Sequence, residues 1–583
     1  MKKLFRFVKP YIPWAIIAVL FMIGEVYMDL LQPQFMSDVI DEGVASGEAG
    51  KSYIVLSCLK MVGVAILGIL GGCGNMFFST RAGYAFARDL RSALYEKVQR
   101  FSFANIDKFK TGSLVTRLTN DVTQIQNAFT SVIRMLVRSP LLFVGGVIQV
   151  FRINHQLAMV VLCAMPLIGI MIGIVMKYGF PKFRIVQQKL DRTNVVMQEN
   201  LAGIRVIKAF GRREYERRRF AEANDDLMQT HRSAQRIMST SFPIINLIMN
   251  FTLLAVYMYG GHMIISNRLG TGSFNLQTGD LMAFASYVTQ ILSSLTMSSF
   301  TLLNISRAKV SIDRVNEILE TEVDIEGTAG SSLTVEEGRV EFKNVSFRYP
   351  GQGGEPVLKN ISFTAEPGST VAILGSTGSG KTSLVSLIPR LYDAVEGDIL
   401  VDGHSVHDYT LENLRRGIGV ALQESVLFTG SIAENLRWGN DDATDEEIRQ
   451  MAHIAQADDF IEKTVDGYDT ELGQRGVNLS GGQKQRMCIA RALIKKPRIL
   501  ILDDSTSAVD LATEAEIQKN LRTVMGQCTV FIIAQRISSV MDADKILVMD
   551  HGRIVDEGTH DELKERCDVY REIVISQLGK ESA

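Results

Sequence analysis

The sequence predicts a two-part protein, a six-helix α-helical transmembrane domain followed by an α/β domain built on a phosphate-binding loop. Three observations carry that expectation. Long apolar runs occur only before about Leu303, short β-like runs alternate with helical patterns after it, and the glycine-rich stretch GSTGSGKT (Gly375–Thr382) leads into a helix-patterned segment. At 583 residues the chain is also too long for one hydrophobic core.

A bilayer core requires roughly 20 apolar residues per helix, and six segments qualify: 13–31, 53–78, 128–151, 156–178, 242–265 and 281–303. Lys2, Lys3, Arg6 and Lys9 precede the first span, whereas the loop after it carries Asp38, Asp41, Glu42 and Glu48 without Lys or Arg. The positive-inside rule therefore puts the N-terminus in the cytoplasm of a multi-pass protein of the cell (plasma) membrane. The Lys- and Arg-rich segments 80–127 and 177–241 then face the cytoplasm too. Both are too long for turns and continue the helical pattern of the spans, so the helices are expected to project beyond the bilayer. Their tips are expected near 107–116 (DKFKTGSLVT) and 206–213 (VIKAFGRR). A signal peptide is the alternative reading of the basic, apolar start. No small-residue cleavage site follows Met28, and five further spans come after it.

The expected layout is a transmembrane domain over 1–320, a Gly/Ser/Thr-rich linker over 321–338, a nucleotide-binding domain over 339–577 and a tail over 578–583. A formal net charge of -2 argues against nucleic acid as a partner, which leaves the lipid bilayer and whatever the spans carry. The six cysteines lack CxxC or metal-type spacing and read as reduced structural thiols.

The loop Gly375, Ser376, Thr377, Gly378, Ser379, Gly380, Lys381, Thr382 matches G-x-x-x-x-G-K-[ST] in the strand-loop-helix context that gives the match weight. Its glycines let backbone N–H groups turn toward phosphates, and the following helix adds its positive end. Lys381 is expected to reach the β- and γ-phosphates of ATP and Thr382 to ligate Mg²⁺.

Downstream stand Tyr349 (SFRYP), Gln423 (VALQES), TELGQRG (Thr470–Gly476), LSGGQKQR (Leu479–Arg486), ILILDD (Ile499–Asp504) and SAVD (Ser507–Asp510). In order and spacing these motifs resemble an ATP-binding-cassette nucleotide domain. With six spans upstream, the whole chain resembles an ABC half-exporter of the multidrug type. The resemblance implies that Tyr349 stacks on adenine, Gln423 senses Mg²⁺ and relays nucleotide state, and Asp503 holds Mg²⁺. It also implies that Ser480, Gly481, Gly482 and Gln483 contact ATP bound to another subunit, which demands a dimer.

Two positions depart from the family's hydrolytic pattern. Asp504 stands at the general-base glutamate position, and FIIAQR (Phe531–Arg536) places Gln535 at the switch-histidine position. Aspartate is one methylene, roughly 1.5 Å, shorter than glutamate, and misplacement of about 1 Å can cost on the order of 10²-fold. Glutamine cannot become an imidazolium. The pair resembles the degenerate-site member of a heterodimeric bacterial exporter, with a second half-exporter supplying the faster site. The alternatives are a homodimer with Asp504 as a working base, a lipid or peptide exporter, and an ATP-gated regulatory membrane protein.

The expected cargo is a hydrophobic or cationic amphipathic compound. Charged side chains inside spans are costly and often functional, which singles out Glu25 and Asp29 on the first span and Arg134 and Arg138 on the third. Snorkelling to the membrane surface is the plainer role for the two arginines.

Overall fold

A computed structural model of the chain describes residues 2–269, 276–350, 354–524, 526 and 528–578, so most of the tail beyond Leu578 lies outside it. The chain divides into two compact units. One comprises Met1–Lys97 with Gly112–Glu320, and the other Val98–Thr111 with Thr321–Ala583.

Among the described residues the first unit is built of helices, without a strand. Its helices include Ile12–Asp38, Lys51–Gln99, Arg213–Arg268 and Thr278–Glu320. At about 1.5 Å per residue the 49-residue second helix is roughly 74 Å long, more than twice a hydrocarbon core of about 30 Å. The long loops are thus projecting helix, as their patterning implied. Among the described residues five helical stretches are long and apolar enough to cross a membrane: Leu4–Val44, Gly47–Gln99, Thr111–Ile153, His155–Ala202 and Arg213–Ser266. The sixth helix, Thr278–Glu320, carries the expected span 281–303, some of whose side chains lie outside the described set.

The third and fourth crossings are separated by a single residue. Asn154 adopts an extended conformation (φ -160°, ψ 123°), and its side chain accepts hydrogen bonds from the backbone N–H of Gln156 and Leu157. It thereby caps the helix beginning at His155, as Asn does at N-termini generally. The third crossing is not a regular helix, because π-helical turns interrupt it at Arg117–Asp121 and Val132–Leu136. The core of this unit packs Met22, Val26 and Leu30 of the first helix against Val150, Leu157, Val161 and Phe284, Tyr287, Ile291. Tyr287 donates its hydroxyl proton to the carbonyl of Leu30 at 2.6 Å, which satisfies the one polar atom on a fully buried ring.

The first tip differs from its expected limits. Ser102 and Asn105 form a capping box that starts a helix at Phe103, which ends at Phe109. Lys110 takes a positive φ of 58°, and a new helix begins at Thr111. The stretch 107–116 therefore straddles a break, and its first half clusters with the nucleotide unit. The capping signal at Ser102, rather than the mixed apolar and basic composition, sets this boundary. The second tip is a short helix, Ile204–Ala209, between Gly203 and the left-handed Gly211 (φ 65°).

The second unit is a layered α/β domain. Among the described residues its main sheet has six strands in the spatial order Arg553–Gly558, Lys545–Asp550, Thr370–Gly375, Thr529–Ile533, Ile499–Asp503 and Ile418–Ala421. The last five are mutually parallel and the first is an antiparallel edge. The strand Ile499–Asp503 is buried at every position, as its unbroken apolar run requires of a parallel strand covered on both faces. A second, antiparallel sheet pairs Val340–Phe347 with Leu358–Ala365 on one side and Glu396–Val401 on the other. Asp402, held at φ 50°, fixes the start of this unit. Its carboxylate accepts four successive backbone N–H groups, from Glu336 to Arg339, at 2.7–3.1 Å.

Candidate functional site

The strand Thr370–Gly375 delivers the glycine loop to the carboxyl edge of the parallel sheet, where open α/β folds place ligands. Gly378 (φ 85°) and Gly380 (φ 99°) take conformations that side chains rarely adopt. Gly375 (φ 157°) is required by proximity as well, since a Cβ there would lie 2.2 Å from the carbonyl oxygen of Met549. Lys381 opens the next helix and turns back over the loop, its Nζ donating to the carbonyls of Gly375 (2.9 Å) and Ser376 (2.8 Å). Burial lowers the pKa of this ammonium, with Asp504 and Asp503 acting in the other direction. Ser376 and Thr377 are exposed, whereas Ser379 is 2% exposed and its Oγ has no hydrogen-bond partner.

Asp503 ends the adjacent-but-one strand at 1% exposure, and its Oδ1 accepts the Thr382 hydroxyl proton at 3.1 Å. Burial raises its pKa, with the Thr382 bond opposing that shift. Asp504 follows at φ 48°, its N–H bonded to the Ile533 carbonyl at 3.0 Å. Burial raises its pKa also, chiefly against the bond from Gln535. Gln535 Nε2 donates to Asp504 Oδ2 at 2.9 Å, and the backbone carbonyl of Gln535 accepts from Gln577 Nε2 at 2.7 Å. Asp504 and Gln535 are thus bonded to each other.

One cleft of about 330 Å³ is lined by Tyr349, Val357, Thr377, Gly378, Gly380, Lys381, Thr382, Ser383, Gln423, Asp503, Asp504, Ile533 and Gln535. Tyr349 stands at its rim, its hydroxyl 2.8 Å from Ser383 Oγ. Fit to Mg-ATP can be judged from the donors present. The orphaned Ser379 hydroxyl, the close-packed glycine cradle, the inward Lys381 and the paired Thr382 and Asp503 oxygens suit a phosphate chain and a hard cation.

Ser480, Gly481, Gly482 and Gln483 do not line that cleft. They form the N-terminus of the helix Gly481–Ile494, with a capping box in which Ser480 Oγ accepts the Gln483 N–H (3.3 Å) and Gln483 Oε1 accepts the Ser480 N–H (2.8 Å). Ser480 and Gly481 are exposed.

Sequence reasoning missed Gln485 and Glu514. Gln485, 6% exposed, donates to the Asp504 carbonyl (3.3 Å) and Ser507 Oγ (3.0 Å) and accepts from the Ala508 N–H (2.9 Å), tying the helix Gly481–Ile494 to the strand end. Glu514, 4% exposed, accepts from Thr506 (2.7 Å), Ser539 (2.6 Å) and Arg536 (3.3 Å) and so joins the loops after the strands Ile499–Asp503 and Thr529–Ile533. A helical carboxylate between polar neighbours gives no sequence signal for such a role.

Comparison with known protein families matches residues 14–295 to the ABC transporter transmembrane region and residues 358–507 to the ABC transporter family. A relative from Bacillus subtilis (strain 168), an uncharacterized ABC transporter ATP-binding protein, is 42% identical over 585 residues, covering 100% of both chains. The chain belongs to the ABC transporter family. An ATP-dependent lipid A-core flippase of Syntrophus aciditrophicus (strain SB) is 34% identical to this transporter, over 88% of this chain and 84% of the flippase. The solved structure of a bacterial Atm1-family ABC exporter with ATP bound superposes with a TM-score of 0.81 at 26% identity, covering 99% and 100% of the two chains. This transporter is therefore an ABC exporter half-transporter, a multi-pass membrane protein with an ABC ATPase domain.

In its membrane unit the transporter does not leave Arg138 to snorkel. Arg138 bridges two helices, with Nη1 2.7 Å from Glu25 Oε1 and Nη2 2.8 Å from Asp29 Oδ2. Glu25 packs against Gly71 and Gly72 of the second helix, where a Cβ at Gly71 would lie 3.1 Å from the Glu25 N. Pairing of this kind is how intramembrane charges are ordinarily tolerated, and here one guanidinium is shared between the two carboxylates of Glu25 and Asp29.

Proposed function

We propose that this chain is one half of a dimeric exporter that moves amphipathic compounds out of the cytoplasm, and that it contributes the hydrolysis-impaired ATP site. The bond from Gln535 Nε2 to Asp504 Oδ2 carries this reading. A general base accepts a proton from the attacking water. Here one carboxylate oxygen already accepts a proton donor, the carboxylate is short by one methylene, and the amide cannot supply a cationic imidazole.

The remaining roles follow from position. Backbone N–H groups of Gly375–Lys381 and the Lys381 ammonium hold the phosphates, Tyr349 supports the adenine, and Thr382, Gln423 and Asp503 hold the cation. Bound Mg²⁺ neutralises charge on the β- and γ-phosphates. Ser480, Gly481, Gly482 and Gln483 present a capped helix N-terminus, a ready anion site, to the nucleotide held by a partner with Glu and His at the two replaced positions.

Lipid is the second reading of the cargo, supported by the identity to a lipid A-core flippase. Flipping of a labelled phospholipid in reconstituted vesicles, compared with uptake of a cationic dye, distinguishes the two.

The lone chain is expected to hydrolyse ATP on the order of 10²-fold more slowly than the assembled transporter. Asp504→Glu is expected to recover only part of that rate, because Gln535 remains. Full steady-state activity of the purified lone chain would falsify the proposal.

A further inference from the structure

The first and second membrane helices meet along an aromatic seam that ends in a cation. Phe21 stacks on Phe78 with ring centroids 5.5 Å apart at 24°, and Phe78 stacks on Trp14 at 5.6 Å and 20°. Gly74 makes room for the seam, since a Cβ there would lie 2.5 Å from the Phe21 ring. Arg81, an exposed residue, closes over the indole with its Cζ 5.1 Å from the ring centroid. Trp14 is the second residue of the expected span 13–31, and Arg81 lies three residues beyond the expected span 53–78. The seam thus runs from apolar rings within the spans to an indole and a guanidinium at their boundary, the depth at which tryptophan concentrates.

The chemistry left open at that boundary is specific. A cation over an aromatic face is attracted by the ring's quadrupole, yet the ring offers no lone pair to the N–H donors of the guanidinium. Among the described residues Arg81 has no carboxylate partner, and neither its N–H groups nor the Trp14 indole N–H has an acceptor. Arg88, about two turns further along the same helix, is instead engaged, with Nε donating to Asp89 Oδ1 at 2.9 Å and Nη2 to the Tyr11 hydroxyl at 3.5 Å. The surroundings are basic. Lys2, Lys3, Arg6 and Lys9 all precede Trp14, the first acidic residue of the chain is Glu25, and Arg6 and Lys9 are exposed. A planar fork of donors at headgroup depth is matched by a phosphodiester, and a net negative headgroup suits the cations upstream.

We propose that Arg81 and Trp14 form a binding site for the phosphodiester of an anionic phospholipid, in the leaflet that meets the N-terminal end of the first span. The guanidinium takes two phosphate oxygens, the indole N–H donates to the headgroup, and an acyl chain runs along the seam toward the exposed ring of Phe21. The site joins the first two crossings through a lipid, and it is independent of the reading of the ATP site.

The chain has two tryptophans, so Trp438→Phe leaves Trp14 as its one indole reporter. The full-length chain carrying that change is reconstituted in phosphatidylcholine vesicles. Quenching of Trp14 by brominated phosphatidylglycerol is then compared with quenching by brominated phosphatidylcholine as each is titrated in. The parent is expected to favour the anionic lipid by at least about fivefold in relative association, the contribution of roughly one cation at an anionic surface. Arg81→Gln is expected to remove most of that preference. Arg81→Lys is expected to retain only part of it, because the ammonium keeps the charge without the planar fork. Arg88→Gln is expected to stay within about twofold of the parent, since its charge is already paired at the surface. A thermal melt checks that each variant is folded, and if Arg81→Gln lowers the midpoint, Arg81→Lys carries the comparison.

Equal quenching by the two lipids overturns the proposal, as does a parental preference in both Arg81 variants. A loss in Arg88→Gln as large as that in Arg81→Gln overturns it too, because the preference would then belong to the basic surface at large. Relief of the phosphatidylglycerol quenching by inorganic phosphate at constant ionic strength would assign the site to a soluble anion and contradict the lipid.

Discussion

Ser480→Asp in this chain is expected to lower the ATPase rate of the assembled transporter by on the order of 10²-fold or more while leaving the thermal midpoint unchanged. The side chain has two tasks that this substitution separates. Its Oγ caps the helix Gly481–Ile494 by accepting the Gln483 N–H, and aspartate caps as well as serine does. Toward a partner's nucleotide, however, the substitution sets a carboxylate against the γ-phosphate, where Ser480 is proposed to donate. Ser480→Ala provides the complement, removing the cap at a cost of about 1 kcal/mol and the donor together. Steady-state phosphate release and a thermal melt of each variant decide the matter. Wild-type turnover in Ser480→Asp would mean that this helix end meets no phosphate.

Gly375→Ala is expected to abolish ATP binding at this chain's site, by at least about 10²-fold in affinity. Gly375 pairs with Met549 on the neighbouring strand, and the added Cβ would lie 2.2 Å from the Met549 carbonyl oxygen. Backbone cannot yield there without moving the strand Lys545–Asp550, so the loop and its N–H groups shift as one. Gly378→Ala offers the contrast. No atom lies within 4 Å of its Cβ, and only the backbone conformation (φ 85°) is penalised, a strain of about 1–2 kcal/mol or roughly a 5- to 30-fold loss. Titration with a fluorescent ATP analogue ranks the two, and equal losses would contradict this account of the cradle.

Both predictions concern motifs that were readable in the sequence, because each is a local arrangement. A phosphate loop needs its glycines at fixed spacing, a capped helix needs Ser480 three residues before Gln483, and a membrane helix needs a long apolar run. What could not be read is juxtaposition. Tyr392 and Asp107 are 285 positions apart, Gln535 and Asp504 are 31 apart, and Arg138 meets Asp29 across 109. Position near the cytoplasmic end of the third span suggested a snorkelling role for Arg138, and only packing of the first and third crossings reveals its two carboxylates. The π-helical turns at Arg117–Asp121 and Val132–Leu136 had no sequence signature either, since they arise where packing shifts the hydrogen-bond register. The first tip was misplaced by a few residues because the capping box at Ser102 outweighs composition in deciding where a helix begins.

The bond between Gln535 and Asp504 turns two separate substitutions into one unit. A lone aspartate at the base position would still present two free oxygens to water. With Gln535 Nε2 donating to Oδ2 at 2.9 Å, that oxygen is engaged before any water arrives.

The most direct test of this asymmetry is the ATPase rate of the assembled transporter after removing each proposed base in turn. Asp504→Asn in this chain is predicted to change the rate by less than about threefold, and replacement of the partner's glutamate by glutamine to reduce it by on the order of 10²-fold. Loss of turnover on Asp504→Asn of the same size as the loss from the partner's substitution would contradict the account, because it would make Asp504 a working base.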